Sequence, residues 1–221
     1  MDFFISTKKR TDKEELMDDF SIGGDLLIDT LDKLENINRW LGGNAMTVKS
    51  LKKVLKNHPK EQELTIADIG CGHGDILRDV AKFGRKNGYK MKLIGMDANP
   101  TAIAYANKLS TEFSELSFIT EDIFSKEFKE RTFDVVLATL FLHHFKEDPL
   151  VSFLENTLRQ TKIAIVVNDL HRHTLAYYLF MLLSVFIKNK MIIEDGLTSV
   201  LRGFKRKDLV KISQRIQVKS Q

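Results

Sequence analysis

The sequence predicts an α/β protein, a doubly wound and mostly parallel sheet behind an N-terminal cap of helices. Three observations predict it. Apolar, β-branched runs alternate with amphipathic helical patterns between residues 64 and 168, as chained βαβ units do. The first run, Thr65-Ile66-Ala67-Asp68-Ile69, passes at once into Gly70-Cys71-Gly72-His73-Gly74-Asp75 and a helix start. Three glycines at alternate positions let a ligand lie against bare backbone, and the helix start offers free N–H groups. Finally, polar residues gather where each strand ends, and in an open parallel sheet the ligand lies beyond those ends.

From Asp12 to Trp40 the apolar positions Leu16, Phe20, Leu26, Leu27, Leu31, Leu34 and Ile37 recur at helical spacing. Gly23-Gly24 splits this stretch in two and Leu41-Gly42-Gly43 ends it. A further helix, Ala45 to Lys56, turns Leu51, Val54 and Leu55 inward and stops near Pro59. Residues 1–60 thus form a helical cap and residues 61–221 the main domain. In that domain, strands are predicted at 64–69, 92–97, 116–120, 133–140 and 163–168. Helices are predicted at 75–85, 100–110, with Pro100 in the first turn, and 148–161. Phe133–Leu140 is apolar almost throughout, as a strand covered on both faces is. An apolar helix over 174–187 follows, then a loop, then a helix near Lys207–Gln214. Arg215 to Gln221 reads as the start of a sixth strand.

The chain has 221 residues, 43% hydrophobic and 29% charged, with a net charge of +4. The excess positive charge is spread out, densest at Lys8-Lys9-Arg10, Lys52-Lys53 and Arg202–Lys207. A nucleic-acid binder concentrates its basic face, so solvated lysines are the simpler reading and no nucleic-acid partner is expected. One cysteine, Cys71, excludes an intrachain disulfide and suits a reducing cytoplasm. No secretory leader is read at the start. The longest apolar run, Leu175 to Ile187, has 13 residues, against about 20 for a bilayer span. It reads as a buried or cap helix. Lys188 and Lys190 make a membrane-surface helix the alternative, and stable insertion is not expected.

Five of the six histidines fall at strand ends, all but His58. The first strand offers Asp68 and the glycines; the second ends in Asp97-Ala98-Asn99, the third in Glu121-Asp122. The fourth ends near His143-His144 and the fifth in Asn168-Asp169-Leu170-His171-Arg172-His173. Asp97 lies 23 positions beyond Gly74, where a carboxylate can accept both ribose hydroxyls of a nucleotide. Asp122 can accept from an adenine amino group while Ile123 packs on the ring.

On these residues the chain resembles the class I S-adenosylmethionine-dependent methyltransferases of small-molecule type. Residues 64–169 carry the resemblance, through the D-x-G-x-G-x-G loop and Phe133-Asp134-Val135-Val136-Leu137-Ala138-Thr139-Leu140-Phe141-Leu142-His143-His144-Phe145. Residues 168–204 are similar to small-molecule methyltransferases near the ubiquinone/menaquinone group and to polyketide- or pigment-associated relatives, and residues 14–43 resemble the helical cap of that last group. The resemblance implies a Rossmann-like methyltransferase fold and S-adenosylmethionine as cofactor. Asp68 would orient the loop or hold the methionine amino group through water, and Gly70, Cys71, Gly72 and Gly74 would approach methionine and ribose. Asp97, beside Ala98, would bind the ribose hydroxyls and Asp122 with Ile123 the adenine. Ala138, Thr139 and Leu140 would lie under the methionyl part. The family's sheet ends in a sixth and a seventh strand, so an incomplete C-terminal sheet edge is expected here, and with it a homodimer.

Methyl transfer from a sulfonium is already activated, and positioning supplies much of the catalysis. A phenol or enol acceptor still gains from a base, and an imidazole suits that work near neutrality. His144, His143 and His171 are the candidates, with Asp169 beside them. Asp169, His171 and His173 would share one face of an extended segment, yet they match no ligand pattern of this fold, and no metal is expected. Tyr177, Tyr178, Phe180, Met181 and Phe186 are candidates to line an acceptor pocket, and Arg39 and Trp40 to close over the cofactor. The function expected is methylation of a small aromatic or polyketide-like acceptor at oxygen. The alternatives are carbon methylation of a quinone precursor and a cofactor-binding partner without activity.

Overall fold

The structure is a computed structural model and describes residues 5–216. At its centre β1 (Leu64–Ile69) lies between β2 (Met91–Asp97) and β4 (Phe133–Thr139). β3 (Leu116–Thr120) lies outside β2, and β5 (Thr161–Asn168) outside β4. The order is β3-β2-β1-β4-β5 and every pairing is parallel. Strand order therefore reverses between β1 and β4, which opens a crevice beyond their carboxyl ends.

Successive residues feed opposite layers, because side chains alternate along a strand. Ile66, Leu93, Val135 and Leu137 pack with Leu51 of α2 (Gly43–Val54) and Leu55 just past its end, Leu77 and Val80 of α3 (Asp75–Asn87), and Ile103 and Ala106 of α4 (Pro100–Leu109). Ala67, Ile69, Met96 and Val136 face the other way. They meet Phe128 of α5 (Lys126–Lys129), Leu150 and Phe153 of α6 (Glu147–Gln160), and Ile212 of α9 (Arg206–Arg215). The predicted helix near 45–56 is thus α2, and it fills one sheet face beside α3 and β5.

Several details depart from the sequence reading, among them the short α5, which is not predicted, and the end of the apolar helix at Ser184 rather than 187. The stretch 12–40 holds one 3₁₀ turn, Leu16–Asp18, and then α1 (Gly24–Trp40). The segment read as a loop after α7 (Thr174–Ser184) contains a further helix, α8 (Lys190–Arg202). Gly196 disguised it, since glycine weakens a helix interior. The reason for that glycine is steric: a Cβ there would stand 2.2 Å from the Phe180 ring. Thr161 and Lys162, read as helix end and loop, already belong to β5. Arg215, read as the start of a sixth strand, is the last residue of α9, and 217–221 lie outside the described residues.

Among the described residues β5 is an edge strand with Ile163 and Val167 exposed, and the sheet is not closed. Among the described residues no helix is long and apolar enough to cross a membrane.

Candidate active site

Where β1 ends, the Gly70 and Cys71 N–H groups both donate to the Met96 carbonyl, at 2.8 and 3.0 Å. The loop is thereby fixed to the tip of β2. Gly70 has φ +69°, and a Cβ on it would stand 2.2 Å from the Phe141 ring. Gly70→Ala should therefore force both a left-handed alanine and a displaced aromatic ring, at a cost of about 1–3 kcal/mol from overpacking alone. A lowered melting temperature together with weaker cofactor binding is the expected result; an unchanged melt would show that the loop is looser than described.

The Gly72 N–H donates to Asp97 Oδ2 at 2.9 Å, and the Asn99 N–H to Oδ1 at 2.9 Å. A carboxylate offers about four lone-pair directions, so acceptor capacity remains on both oxygens. Burial pushes the Asp97 carboxyl upward, against the opposing pull of those N–H donors and of His144. Asp68 is buried, and burial, with Asp75 and Asp97 nearby, holds its carboxyl well above the usual range. Asp122 Oδ1 accepts the Phe124 N–H at 2.9 Å.

These groups open on one cavity of about 1890 Å³, well beyond the few hundred Å³ of a single small-molecule site. Asp68, Gly70, Cys71, Gly72, Asp97, Ala98, Asp122, Ile123, Thr139 and Leu140 all line it. Leu140 holds φ +52°, a costly conformation for a leucine, and its N–H donates to the Asn168 carbonyl at 2.8 Å. Gly74 and Ala138 are not on the wall. Gly74 caps α3 beneath the Phe118 ring, and Ala138 is buried inside the sheet.

His143 and His144 line the same cavity, their ring centres 4.2 Å apart. His143 is buried; its Nδ1 lies 2.7 Å from Asp169 Oδ1, and its Nε2 3.7 Å from Glu15 Oε1. His144 is more open, its side chain 26% exposed, and its Nδ1 lies 2.6 Å from Asp18 Oδ1. A carboxylate on Nδ1 selects the tautomer that keeps Nε2 as an acceptor. Asp169 is pushed up by burial, but the His143 ring and two backbone N–H groups outweigh that and hold it low.

Glu15 and Asp18 reach the histidines because α8 holds their turn. Asp195 accepts the Leu16 and Met17 N–H groups at 2.7 and 3.0 Å, and Ser199 Oγ donates to Glu15 Oε2 at 2.7 Å. Arg202 Nη1 binds Asp18 Oδ2 at 2.6 Å and approaches Glu15 Oε1 to 3.5 Å. Arg10 and Arg202 both donate to the His143 carbonyl. Glu15, His143 and His144 bring ligand atoms within 4.8 Å of one another, but Arg202 already supplies the positive charge there.

Burial acts to raise Asp18, yet hydrogen bonds from His144 and Arg202 outweigh it and hold the carboxyl far below its usual value. A carboxyl depressed in the folded state adds stability above its unfolded pKa and loses it as pH falls toward the folded one. Asp18→Asn should therefore cost stability at neutral pH and flatten the acid side of the stability profile. Equal losses at every pH would contradict that origin.

The remaining candidates lie elsewhere. His171 is exposed, away from the cavity wall, and pairs through its backbone with Phe204. His173 caps α7 by accepting the Leu175 N–H. Asp169 turns to His143, so Asp169, His171 and His173 form no common ligand set. Phe180 and Phe186 line the cavity, with Leu179, Leu182 and Leu183, whereas Tyr177, Tyr178 and Met181 do not. Trp40 stands at the rim, 76% exposed. Arg39 is off the wall and pairs with Glu35 and Asp79, joining α1 to α3. In the glycine loop His73 is buried, and burial lowers its basicity; its Nε2 lies 3.1 Å from Glu35 Oε2 of α1. The residues missed from sequence are Glu15, Asp18, Arg10, Asp195 and Arg202, which no local pattern marks because each acts across more than a hundred positions.

A five-stranded parallel sheet whose ligand cavity opens at its switch point defines a Rossmann-like fold. Within it, residues 66–163, somewhat under half of the chain, match the family described as "Methyltransferase domain". The chain is 39% identical over 82 residues to a sterol 24-C-methyltransferase of Kluyveromyces lactis, covering 36% of this chain and 20% of that protein. It is 28% identical over 107 residues to the carboxy-S-adenosyl-L-methionine synthase of Nitratiruptor sp., covering 48% and 43%. The chain thus spans between a fifth and under half of these relatives' lengths.

Among solved structures it is similar to the plantazolicin methyltransferase BpumL in complex with SAH, with a TM-score of 0.61 at 22% identity, covering 85% of this chain and 66% of that one. It is also similar to the magnesium protoporphyrin IX methyltransferase ChlM of Synechocystis PCC 6803 with bound SAH, with a TM-score of 0.53 at 16% identity, covering 78% and 73%. These likenesses show the fold.

Proposed function

We propose that this protein transfers a methyl group from S-adenosylmethionine to an oxygen of a small, apolar, aromatic or polyketide-like acceptor. One observation carries the reading: a single cavity joins the glycine cradle with Asp97 to the histidine pair and the apolar wall of α7. The residues present fit the cofactor. A Cβ placed on Gly72 would meet no side chain closer than 3.4 Å, and Asp97 keeps acceptor capacity for two hydroxyls. Asp122 and Ile123 stand at the next strand end to hold a purine ring.

When bound, the cofactor supplies an electrophilic methyl group on a sulfonium. The chain's residues then position and deprotonate the acceptor. His144 is the better placed base, because its ring is open to the cavity while Asp18 holds its Nδ1. It would take the acceptor proton at Nε2. His143, held between Asp169 and Glu15, positions its neighbour. Of the residues 1–60 expected as a cap, the 3₁₀ turn and α1 serve as one, whereas α2 packs on the sheet of the domain expected over 61–221. A cytoplasmic setting agrees with a single, buried cysteine, and the exposed β5 edge supports pairing of two chains.

Titration calorimetry tests the cofactor assignment. Asp97→Ala should weaken S-adenosylmethionine binding by about 1.5–3 kcal/mol per charge-assisted hydrogen bond lost. Unchanged affinity would place the cofactor elsewhere.

A further inference from the structure

We infer that α7 and the loop after it form a docking surface for an anionic lipid bilayer, a property separate from the methyl-transfer reading. The eleven residues of α7 carry no charge, and none of them is fully buried. Its two faces are both apolar. Ala176, Phe180 and Leu183 turn toward the cavity, and Phe180 packs over Gly196 of α8. Leu175, Leu179, Leu182 and Phe186, spaced by four, three and four, form an outward stripe, 59%, 56%, 64% and 83% exposed. Val185 beside them is 76% exposed. An outward helix face in water is normally polar, and a contiguous exposed apolar patch marks an interaction site.

The charge around the stripe selects the occupant. Lys188 and Lys190 follow its C-terminal end, exposed and, among the described residues, without an ion pair. At the other end the Thr7 hydroxyl contacts that of Thr174, which brings exposed Lys8 and Lys9 beside the helix start. Apolar side chains rimmed by lysines suit a surface of acyl chains beneath anionic headgroups. A second copy of the same face would instead set lysines against lysines. Leu179, Leu182 and Phe186 also line the cavity, so the docked helix would open the site toward the bilayer interior, and an apolar acceptor would enter without crossing water.

The full chain is to be sedimented with vesicles of phosphatidylcholine alone and with phosphatidylglycerol added. Binding should be strong only with the anionic lipid and should fall with salt. Leu182→Ser and Phe186→Ser should each weaken it about tenfold, and Lys188→Gln or Lys190→Gln about fivefold, with circular dichroism unchanged since all four side chains are exposed. No binding to the anionic vesicles would overturn the proposal. So would binding indifferent to these variants, or a dimer in sedimentation equilibrium that Leu182→Ser and Phe186→Ser dissolve while vesicles are not bound.

Discussion

His144→Ala is expected to lower the rate of methyl transfer by about 10²–10⁴-fold, the contribution of a placed general base, while leaving S-adenosylmethionine affinity nearly unchanged. The reason lies in how the ring is held. Asp18 fixes Nδ1 at 2.6 Å, so the proton-accepting nitrogen is Nε2, on a ring that is 26% exposed to the cavity. The neighbouring His143 has almost no exposure and is enclosed by Asp169 and Glu15. His143→Asn should therefore act less on the pH-independent rate and more on acceptor positioning, raising KM. Asp18→Asn removes the carboxylate that selects the tautomer, and should shift the pH–rate profile as well as lowering the rate. An acceptor whose reacting oxygen is already ionised should rescue His144→Ala. A His144→Ala enzyme with full activity on a neutral phenol would remove the base from the mechanism.

Arg172→Ala is expected to destabilise the protein by about 2–5 kcal/mol, because it leaves two buried carbonyls without their donor, at about 1–3 kcal/mol each. Arg172 has no solvent exposure, yet it follows an exposed histidine in the chain. Its Nε donates to the Thr7 carbonyl at 3.1 Å, its Nη1 to the Gly203 carbonyl, and its Nη2 to Asp208 at 2.7 Å. One side chain thus ties the N-terminal segment and the start of α9 to the end of β5. Arg172→Met keeps much of the apolar stem but none of the hydrogen bonds, and should recover only part of the loss. Chemical denaturation of the three proteins measures both differences. A loss below about 1 kcal/mol in the alanine variant, no more than one ordinary hydrogen bond, would show that the two carbonyls find other donors.

The sheet was legible because it is written locally. Each strand is a short apolar run, and the first two switches to helix are marked by glycine, asparagine and proline, at Gly74, Asn99 and Pro100. The glycine-loop side of the cavity was legible for the same reason, since Asp97 and Asp122, which line it, sit at strand tips whatever the rest of the chain does. Gly74 and Ala138 were misplaced because a motif gives positions along the chain, not which side faces the ligand. The histidine network was half legible. His143 and His144 end a strand, but Glu15 and Asp18 meet them only because Asp195, Ser199 and Arg202 of α8 anchor a turn some 180 positions away. The Asp-Leu-His-Arg-His segment misled most. Its histidines suggested chemistry, whereas backbone pairing with Phe204 turns His171 outward and Arg172 in. Alternation of extended backbone explains that reversal; the bridge partner that imposes it, Phe204, lies 33 positions away and carries no signature.

The central claim is that the cavity joins S-adenosylmethionine to an acceptor whose proton His144 removes. The most direct test is incubation with S-adenosylmethionine carrying an isotopically labelled methyl group and a panel of phenols, enols and polyketides, followed by mass and NMR analysis of the products. A labelled methyl on oxygen of an apolar acceptor is the expected result, lost in Asp97→Ala through binding and in His144→Ala through rate. Label on carbon would move the reaction site, and no transfer to any acceptor despite tight cofactor binding would contradict an active methyltransferase.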